Sequence, residues 1–295
     1  MRENVGNALI FLRNAGKVDL IYSWFADFSF WPLLIGRIFQ KKTMVIVGGY
    51  DVAKVAEIKY GSLMTRRGRW KASYSLRKAS SVLAVDEGLV SDIKNNLGFM
   101  SDKIRTVHTG YDGDKFYPLG EKQDIVLTVA NAADWQRVRV KGLDMFVDVA
   151  KDLPGIRFQM IGIHGEAKER LEAISPNNLE IYGPMGMDEL LKAYQKSKVY
   201  CQFSMREGLP NSLCEAMLCE CVPVGTNVQG VRTVIDGVGF LVNPGNIRGA
   251  SEFILKALSE PSLGKDSRLR IINEFTIKTR EDRIIEAIQK LIEKS

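Results

Sequence analysis

The chain is poor in the residues that most often carry metal and redox chemistry. It has two histidines in 295 residues, His108 and His164, and four cysteines, Cys201, Cys214, Cys219 and Cys221, all in one short stretch. Cys219-x-Cys221 lacks the paired Cys-x2-Cys spacings of a zinc site, so the four read as buried thiols in a reducing compartment. Either histidine could act as a base, but both read as structural or solvent-facing. No Gly-x-Gly-x-x-Gly run or phosphate-loop signature occurs, which argues against nicotinamide enzymes and nucleoside triphosphatases. No apolar run approaches the roughly 18–20 residues of a bilayer-spanning helix. The nearest, Phe28 to Phe39, contains Pro32 and Arg37 and reads as the start of a buried helix. No repeat, low-complexity tract or secretory leader is visible; Arg2 and Glu3 lead into a short amphipathic helix. The expectation is a cytoplasmic protein.

Charge is present in both signs but unevenly. Residues 1–118 hold 18 Lys or Arg against 11 Asp or Glu, and the remainder holds 23 against 24, for a net charge of +6. The excess gathers at Lys59, Arg66, Arg67, Arg69, Lys71, Arg77 and Lys78, with Trp70 and Tyr74 interleaved and no acid among them. A basic helix bearing aromatics suits an anionic membrane surface or a lipid-linked, otherwise anionic acceptor, the plain alternative being a solvated face. No nucleic-acid motif accompanies the charge, so nucleic acid is not expected as a partner.

At this length two domains are expected. Short β-branched runs alternate with helical patterns, which argues for an α/β chain with parallel sheets and crossover helices. Strands are expected over 19–23, 43–47, 81–85 and 104–107, then over 125–130, 157–162, 179–182, 199–203, 222–225 and 239–242. A polar segment, 111–123, carries Gly113, Pro118 and Gly120 and links the two sets. Residues 279–295 read as a capped helix with Ile284, Ile285, Ile288, Leu291 and Ile292 on one face. The organisation expected is 1–118, 119–275 and a last helix over 276–295.

The densest chemistry lies in Arg206-Glu207-Gly208-Leu209-Pro210-Asn211-Ser212-Leu213-Cys214-Glu215. Pro is favoured at a first helical position, and Asn or Ser caps a helix start. The spacing predicts a loop bearing Glu207 and a helix opening near Pro210, with Glu215 about one turn in. Amides around Asn211, Ser212 and Leu213 would have no intrahelical acceptors and could receive an anion. Glu215 could accept from vicinal hydroxyls, as a ribose presents them. Together these describe a nucleotide-sugar seat.

These residues resemble the Glu-x7-Glu motif of retaining family 4 glycosyltransferases, which have the GT-B fold of two Rossmann-like domains facing a cleft. Leu179-Glu180-Ile181-Tyr182-Gly183-Pro184-Met185 resembles that family's base-binding strand and loop, and Cys221 to Thr226 its next strand. Gly230-Val231 and Val234 through Val242 resemble its closing Gly-rich passage, and Ile104 to Asp112 with Phe116-Tyr117-Pro118 its interdomain passage. The resemblance covers nearly the whole chain and implies transfer of a sugar from a nucleotide diphosphate to an acceptor hydroxyl with retention, without metal or other cofactor. It also implies roles. Lys141 of Lys141-Gly142 would neutralise the leaving diphosphate. The family's strand-end Gly-Arg is replaced by Ala130-Asn131, so Arg137 or Arg139 would reach in instead. Glu207 would contact donor sugar hydroxyls and steady positive charge at the anomeric carbon; Glu215 would bind the ribose; Gly183, Pro184 and Met185 would hold the base; Gly208, Leu209 and Pro210 would belong to the donor-binding loop.

Departures from the family pattern sit mostly in the first half. Gly48 stands where many members have a histidine, leaving Gly49 and Asp51 on the acceptor side with Arg66, Arg67, Arg69 and Trp70. The opening β-α-β unit is missing, so a shortened first domain is expected, with the final helix returning to it. A partner chain completing that domain, or an inactive donor-binding subunit, is the rival reading. Glu220 replaces a helix-ending glycine, which predicts strain or a different turn. Asp112-Gly113-Asp114 mimics a metal motif of another glycosyltransferase fold, but its place in the interdomain passage makes it a decoy. A paired-carboxylate glycosidase is disfavoured by the phosphate-type helix start between the glutamates, and an epimerase or phosphorylase by the lack of its side chains.

Overall fold

The computed structural model describes residues 12–293. The helix expected after Arg2 lies outside them. The chain divides into two compact units, one running to His108 and resuming at Arg280, the other Thr109–Thr279.

The first unit carries four strands, β1 (Leu20–Trp24), β2 (Lys42–Val47), β3 (Ser81–Ala84) and β4 (Ile104–Thr106), parallel and in the order β1-β2-β3-β4. Its helices are α1 (Phe30–Ile38), α2 (Arg66–Lys78) and α3 (Glu87–Leu97). β3 is buried throughout and β2 nearly so, which is why both read as unbroken apolar runs: a parallel sheet is covered on both faces. α1 buries Phe30, Leu33 and Ile35 but leaves Phe28 ahead of it and Trp31 exposed. The expected buried helix is therefore buried on one side.

The second unit holds β5 (Gln123–Ala132), β6 (Arg157–Ile163), β7 (Leu179–Tyr182), β8 (Ser197–Gln202), β9 (Val222–Thr226) and β10 (Phe240–Val242). The intervening helices are α4 (Trp135–Lys141), α5 (Leu143–Asp152), α6 (Gly165–Glu172), α7 (Met187–Lys196), α8 (Asn211–Leu218), α9 (Gln229–Ile235), α10 (Ile247–Ser259) and α11 (Leu263–Glu274). All six strands are parallel, in the order β10-β9-β8-β5-β6-β7. The chain enters at β5, builds outward through β6 and β7, then returns to β8 on the other side. Between β5 and β8 the winding reverses, and the loops leaving their C-terminal ends diverge to open a crevice. Both sheets make this an α/β chain of two Rossmann-like units, and the ten strands fall where the sequence places them, within three residues at each end.

The last helix, α12 (Ile277–Glu293), begins in the second unit, and its residues from Arg280 on belong to the first. Thr276 caps it, its Oγ1 accepting from Thr279 N at 2.9 Å. Of its expected apolar face, Ile284, Ile288 and Leu291 are half-buried and Ile285 and Ile292 exposed, while Ala287, outside that set, is buried. At the end of α8, Glu220 adopts φ 62°, a left-handed turn closed by Glu220 N to Met217 O and Cys221 N to Ala216 O. That is the turn a glycine would make without strain, here costing about 1–2 kcal/mol on a side-chain-bearing residue.

Candidate functional site

At the point where the winding reverses lies a cavity of about 540 Å³. Its floor is the end of β5 (Val129, Ala130, Asn131), and its walls come from α4, α7 and the segment around the start of α8. Asp134 caps α4 by accepting from Arg137 N at 2.8 Å, and Lys141 is the last residue of that helix, where a cation suits the dipole. The helix stops at Gly142, φ 63°, and a Cβ there would stand 1.9 Å from Phe203 O. Only glycine lets α4 close on the end of β8. That approach delivers Lys141 to Glu207.

Lys141 Nζ meets Glu207 Oε1 at 2.6 Å, with the two side chains 25% and 11% exposed. The same oxygen accepts from Ser204 Oγ at 2.7 Å and from Gln202 Nε2 at 3.2 Å. On the other side of the cavity Glu215 Oε2 accepts from the buried Tyr194 hydroxyl at 3.0 Å. Burial pushes the Glu215 carboxyl above its ordinary range, opposed by the Tyr194 hydrogen bond and by Lys115.

Between the glutamates α8 begins at Asn211, with Pro210 extended in the cap position and offering no side-chain cap. The sequence expected Asn211 or Ser212 to cap; both are helical instead, and their side chains are engaged elsewhere. Asn211 Oδ1 accepts from Tyr111 at 2.9 Å, and Ser212 Oγ donates to Val129 O at 3.3 Å. Cys214 N is the first amide to reach back, to Pro210 O at 3.3 Å. The amides of Asn211, Ser212 and Leu213 precede it, the usual donors of a helix start.

The cavity therefore gathers Asn131, Arg137, Lys141, Glu207, Leu209, Pro210, Asn211, Ser212 and Glu215 from the expected set. Arg139 is turned away: it pairs with Asp144 at 3.2 Å on the wall of a separate depression. Gly183, Pro184, Met185, Gly208 and Leu213 do not line the cavity, and Leu213 is fully buried. Sequence reasoning missed Asp134, Leu190 and Tyr194 on the lining and Gln202 and Ser204 behind Glu207. The segment 190–194 sits one helix after the expected base loop, and that proximity was the available sign.

In the first unit the expected acceptor-side residues are differently placed. Asp51 is fully buried, its carboxylate accepting from the amides of Ala26 (2.8 Å), Gly49 (2.9 Å) and Gly48 (3.2 Å). Burial pushes it up to about 6 against those donors. A Cβ on Gly48 would meet the Phe25 ring at 2.4 Å, and Phe25 itself has φ 63°. The place a larger side chain would take is filled by that ring. Arg66, Arg67, Arg69 and Trp70 are exposed on α2, whose Trp70 and Tyr74 rings pack on Phe30 at 4.7 and 5.0 Å.

His108 Nδ1 is 2.9 Å from Val85 O and His164 Nδ1 3.3 Å from Gly162 O, a backbone carbonyl in both cases. Asp112 Oδ1 accepts from Asp114 N and Lys115 N, a turn closed on itself. Among the described residues no group of three or more His, Cys, Asp or Glu is placed to hold a metal. No described helix is long and apolar enough to cross a membrane.

A model of the family described as "Glycosyl transferases group 1" matches residues 114–276. No curated protein sequence matches. Among solved structures, HepE of Anabaena in complex with UDP-glucose superposes with TM-score 0.81 at 15% identity, over 96% of this chain and 82% of that one. Sucrose-phosphate synthase from Thermosynechococcus elongatus gives 0.78 at 15% identity, over 95% and 75%. A glycosyltransferase from Rickettsia africae gives 0.77 at 18%, over 98% and 82%. These likenesses are of fold, and the fold is GT-B.

Proposed function

The chain belongs to the glycosyl transferases group 1 family, and from that premise we propose that it transfers a sugar from a nucleotide diphosphate to an acceptor hydroxyl with retention of anomeric configuration. One observation carries the reading. Lys141 and Glu207 meet at one side of the α8 start and Glu215 lies at the other, in the crevice where a parallel sheet reverses its winding. In this reading the diphosphate rests on the Asn211–Leu213 amides and on Lys141, with Arg137 nearby. Glu215 accepts from the ribose hydroxyls, and the base extends toward Leu190 and the loop 183–185. Glu207 faces the sugar and steadies positive charge as the bond to the diphosphate breaks. The acceptor oxygen bonds to the anomeric carbon on the face the diphosphate leaves, and its proton passes to a diphosphate oxygen. Lysine and helix amides offer the counter-charge, so the transfer is proposed to need no metal or other cofactor. HepE, crystallised with UDP-glucose and with UDP, supports a nucleotide-sugar donor for a chain of this fold.

Titration calorimetry with UDP, GDP and ADP tests the donor site. Saturable binding of one nucleotide, weakened at least tenfold in Lys141→Ala and in Glu215→Ala, is expected. Wild-type protein that binds none of the three sinks the reading. We also read the exposed Arg66, Arg67, Arg69 and Trp70 of α2 as facing an anionic membrane that carries the acceptor, on the cytoplasmic side. Flotation with phosphatidylglycerol vesicles should then be lost when the three arginines become glutamate; unchanged flotation rejects it. A second reading, a donor-binding subunit needing a partner chain, is favoured by Phe25 filling the space beside Gly48. It predicts nucleotide binding without transfer until the partner is added.

A further inference from the structure

Glu207 is held by one oxygen only. Its Oε1 takes Lys141, Ser204 and Gln202, and among the described residues Oε2 takes no donor. Lys141 and Ser204 can each turn: lysine is part-exposed on a flexible stem, and serine, though fully buried, has a hydroxyl rotor. Gln202 cannot. It is the last residue of β8, 4% exposed, and both protons of its amide are used, one to Glu207 Oε1 and one to Ser204 Oγ at 2.7 Å. Its own oxygen is 3.4 Å from the Tyr200 hydroxyl, which also lies 3.3 Å from Val129 O and from Val129 N. Val129 O in turn accepts from Ser212 on α8. The opposite amide orientation would aim a carbonyl at a carboxylate, so the network fixes which way the glutamine faces.

A buried amide is costly unless its bonds are made. Here they are made to a carboxylate that faces a cavity. We propose that Gln202 is a positioning residue for Glu207: it fixes Oε1 against the sheet and leaves Oε2 as the single oxygen presented to the donor sugar. The inference rests on the reading of Glu207 as the sugar-facing carboxylate. It adds that when the diphosphate draws Lys141 away, the strand-borne amide keeps the carboxylate where it was. Because Tyr200 and Val129 join Gln202 to Ser212, the sugar carboxylate and the phosphate helix share one rigid reference.

The test uses Gln202→Met, which keeps volume and removes both donors. Calorimetry compares UDP, GDP and ADP with the glucose conjugate of each, in wild type and variant. The bare nucleotide should bind equally well to both. The added affinity of the conjugate, and kcat with an acceptor where turnover is measurable, should fall on the order of 10- to 100-fold. A loss shared equally by nucleotide and conjugate, or no loss, overturns the proposal. Wild type that binds no nucleotide strikes the proposed function instead. The crystal structure of Gln202→Met then decides the inference alone: Glu207 should leave its Oε1 position, and a carboxylate still seated on Ser204 overturns it. Should that variant fail to fold, Tyr200→Phe removes only the hydroxyl behind the amide and should lower the conjugate's advantage in the same direction. An undiminished advantage there overturns the proposal equally.

Discussion

At the C-terminal edge of the six-stranded sheet, Arg137, Lys141, Glu207 and Glu215 face a cavity of about 540 Å³. At the same edge of the four-stranded sheet, Asp51 is wholly enclosed and spends its carboxylate on three backbone amides. Both edges follow parallel strands, and both carry acidic residues on the loops that leave them. The first is bonded within the chain in part and leaves polar atoms facing the cavity; the second uses its whole carboxylate to tie the loop after β1 to the loop after β2. A carboxylate at a strand end is therefore no sign of a ligand until its partners are counted.

The contrast can be broken from the ligand side. Gly142→Ala drives a Cβ toward Phe203 O, 1.9 Å away in the present backbone, at a φ of 63°. We expect a loss of about 3–5 kcal/mol, because the contact is with main chain and no side chain can yield. Thermal unfolding should show it, with Lys141 displaced from Glu207 in whatever folds.

Asp51→Ala breaks it from the other side. It leaves three amides without an acceptor and should cost roughly 1–3 kcal/mol, with nucleotide affinity untouched. The cost depends on pH with a definite sign. Asp51 is pushed up to about 6 in the folded chain, against an ordinary 3.8. The folded state therefore binds the proton more tightly than the unfolded one. Its stabilising contribution is complete below about 3.8 and is lost as pH rises through about 6. Denaturant melts at pH 7 and pH 4.5 should show the wild type gaining on the alanine variant at the lower pH, and an equal difference at both would reject it.

A smaller effect sharpens the comparison. Glu215 is also pushed up by burial, and in the proposed reading it binds the donor ribose. As pH falls into its raised range it gains a proton and stops accepting from both ribose hydroxyls. Nucleotide affinity should drop by up to about tenfold on acidification, and Glu215→Gln should flatten that dependence. Calorimetry at two pH values reads both.

The ten strands were legible because β-branched runs bounded by polar turns leave little alternative in a parallel sheet. The pair Glu207 and Glu215 was legible because one short stretch contains both. What the sequence left open was decided by rotation and distance. Arg137 and Arg139 differ by two positions on a helix, about 200° apart, so only one can face the cavity. Tyr194 reaches Glu215 across 21 residues, and Gln202 at the end of β8 reaches forward to Glu207 in the loop that follows, contacts that no helix or strand periodicity announces. Asp51 misled in the opposite sense, since its position suggested a site and only its three amide partners reveal a brace. Glu220, by contrast, makes the left-handed turn of a helix-ending glycine, so of the two expected outcomes, strain or a different turn, the backbone shows the first.

The four cysteines have a practical consequence. Cys201, Cys214, Cys219 and Cys221 are all buried in the second unit, and burial raises every one of their thiols, so each stays protonated and unreactive in the native chain. Of the four tryptophans, Trp24, Trp31 and Trp70 belong to the first unit and only Trp135 to the second. A thiol-labelling reagent thus times the opening of one unit while indole emission chiefly follows the other. The chain carries two spectrally separate clocks, and one sample of unlabelled wild-type protein suffices to ask which half lets go first.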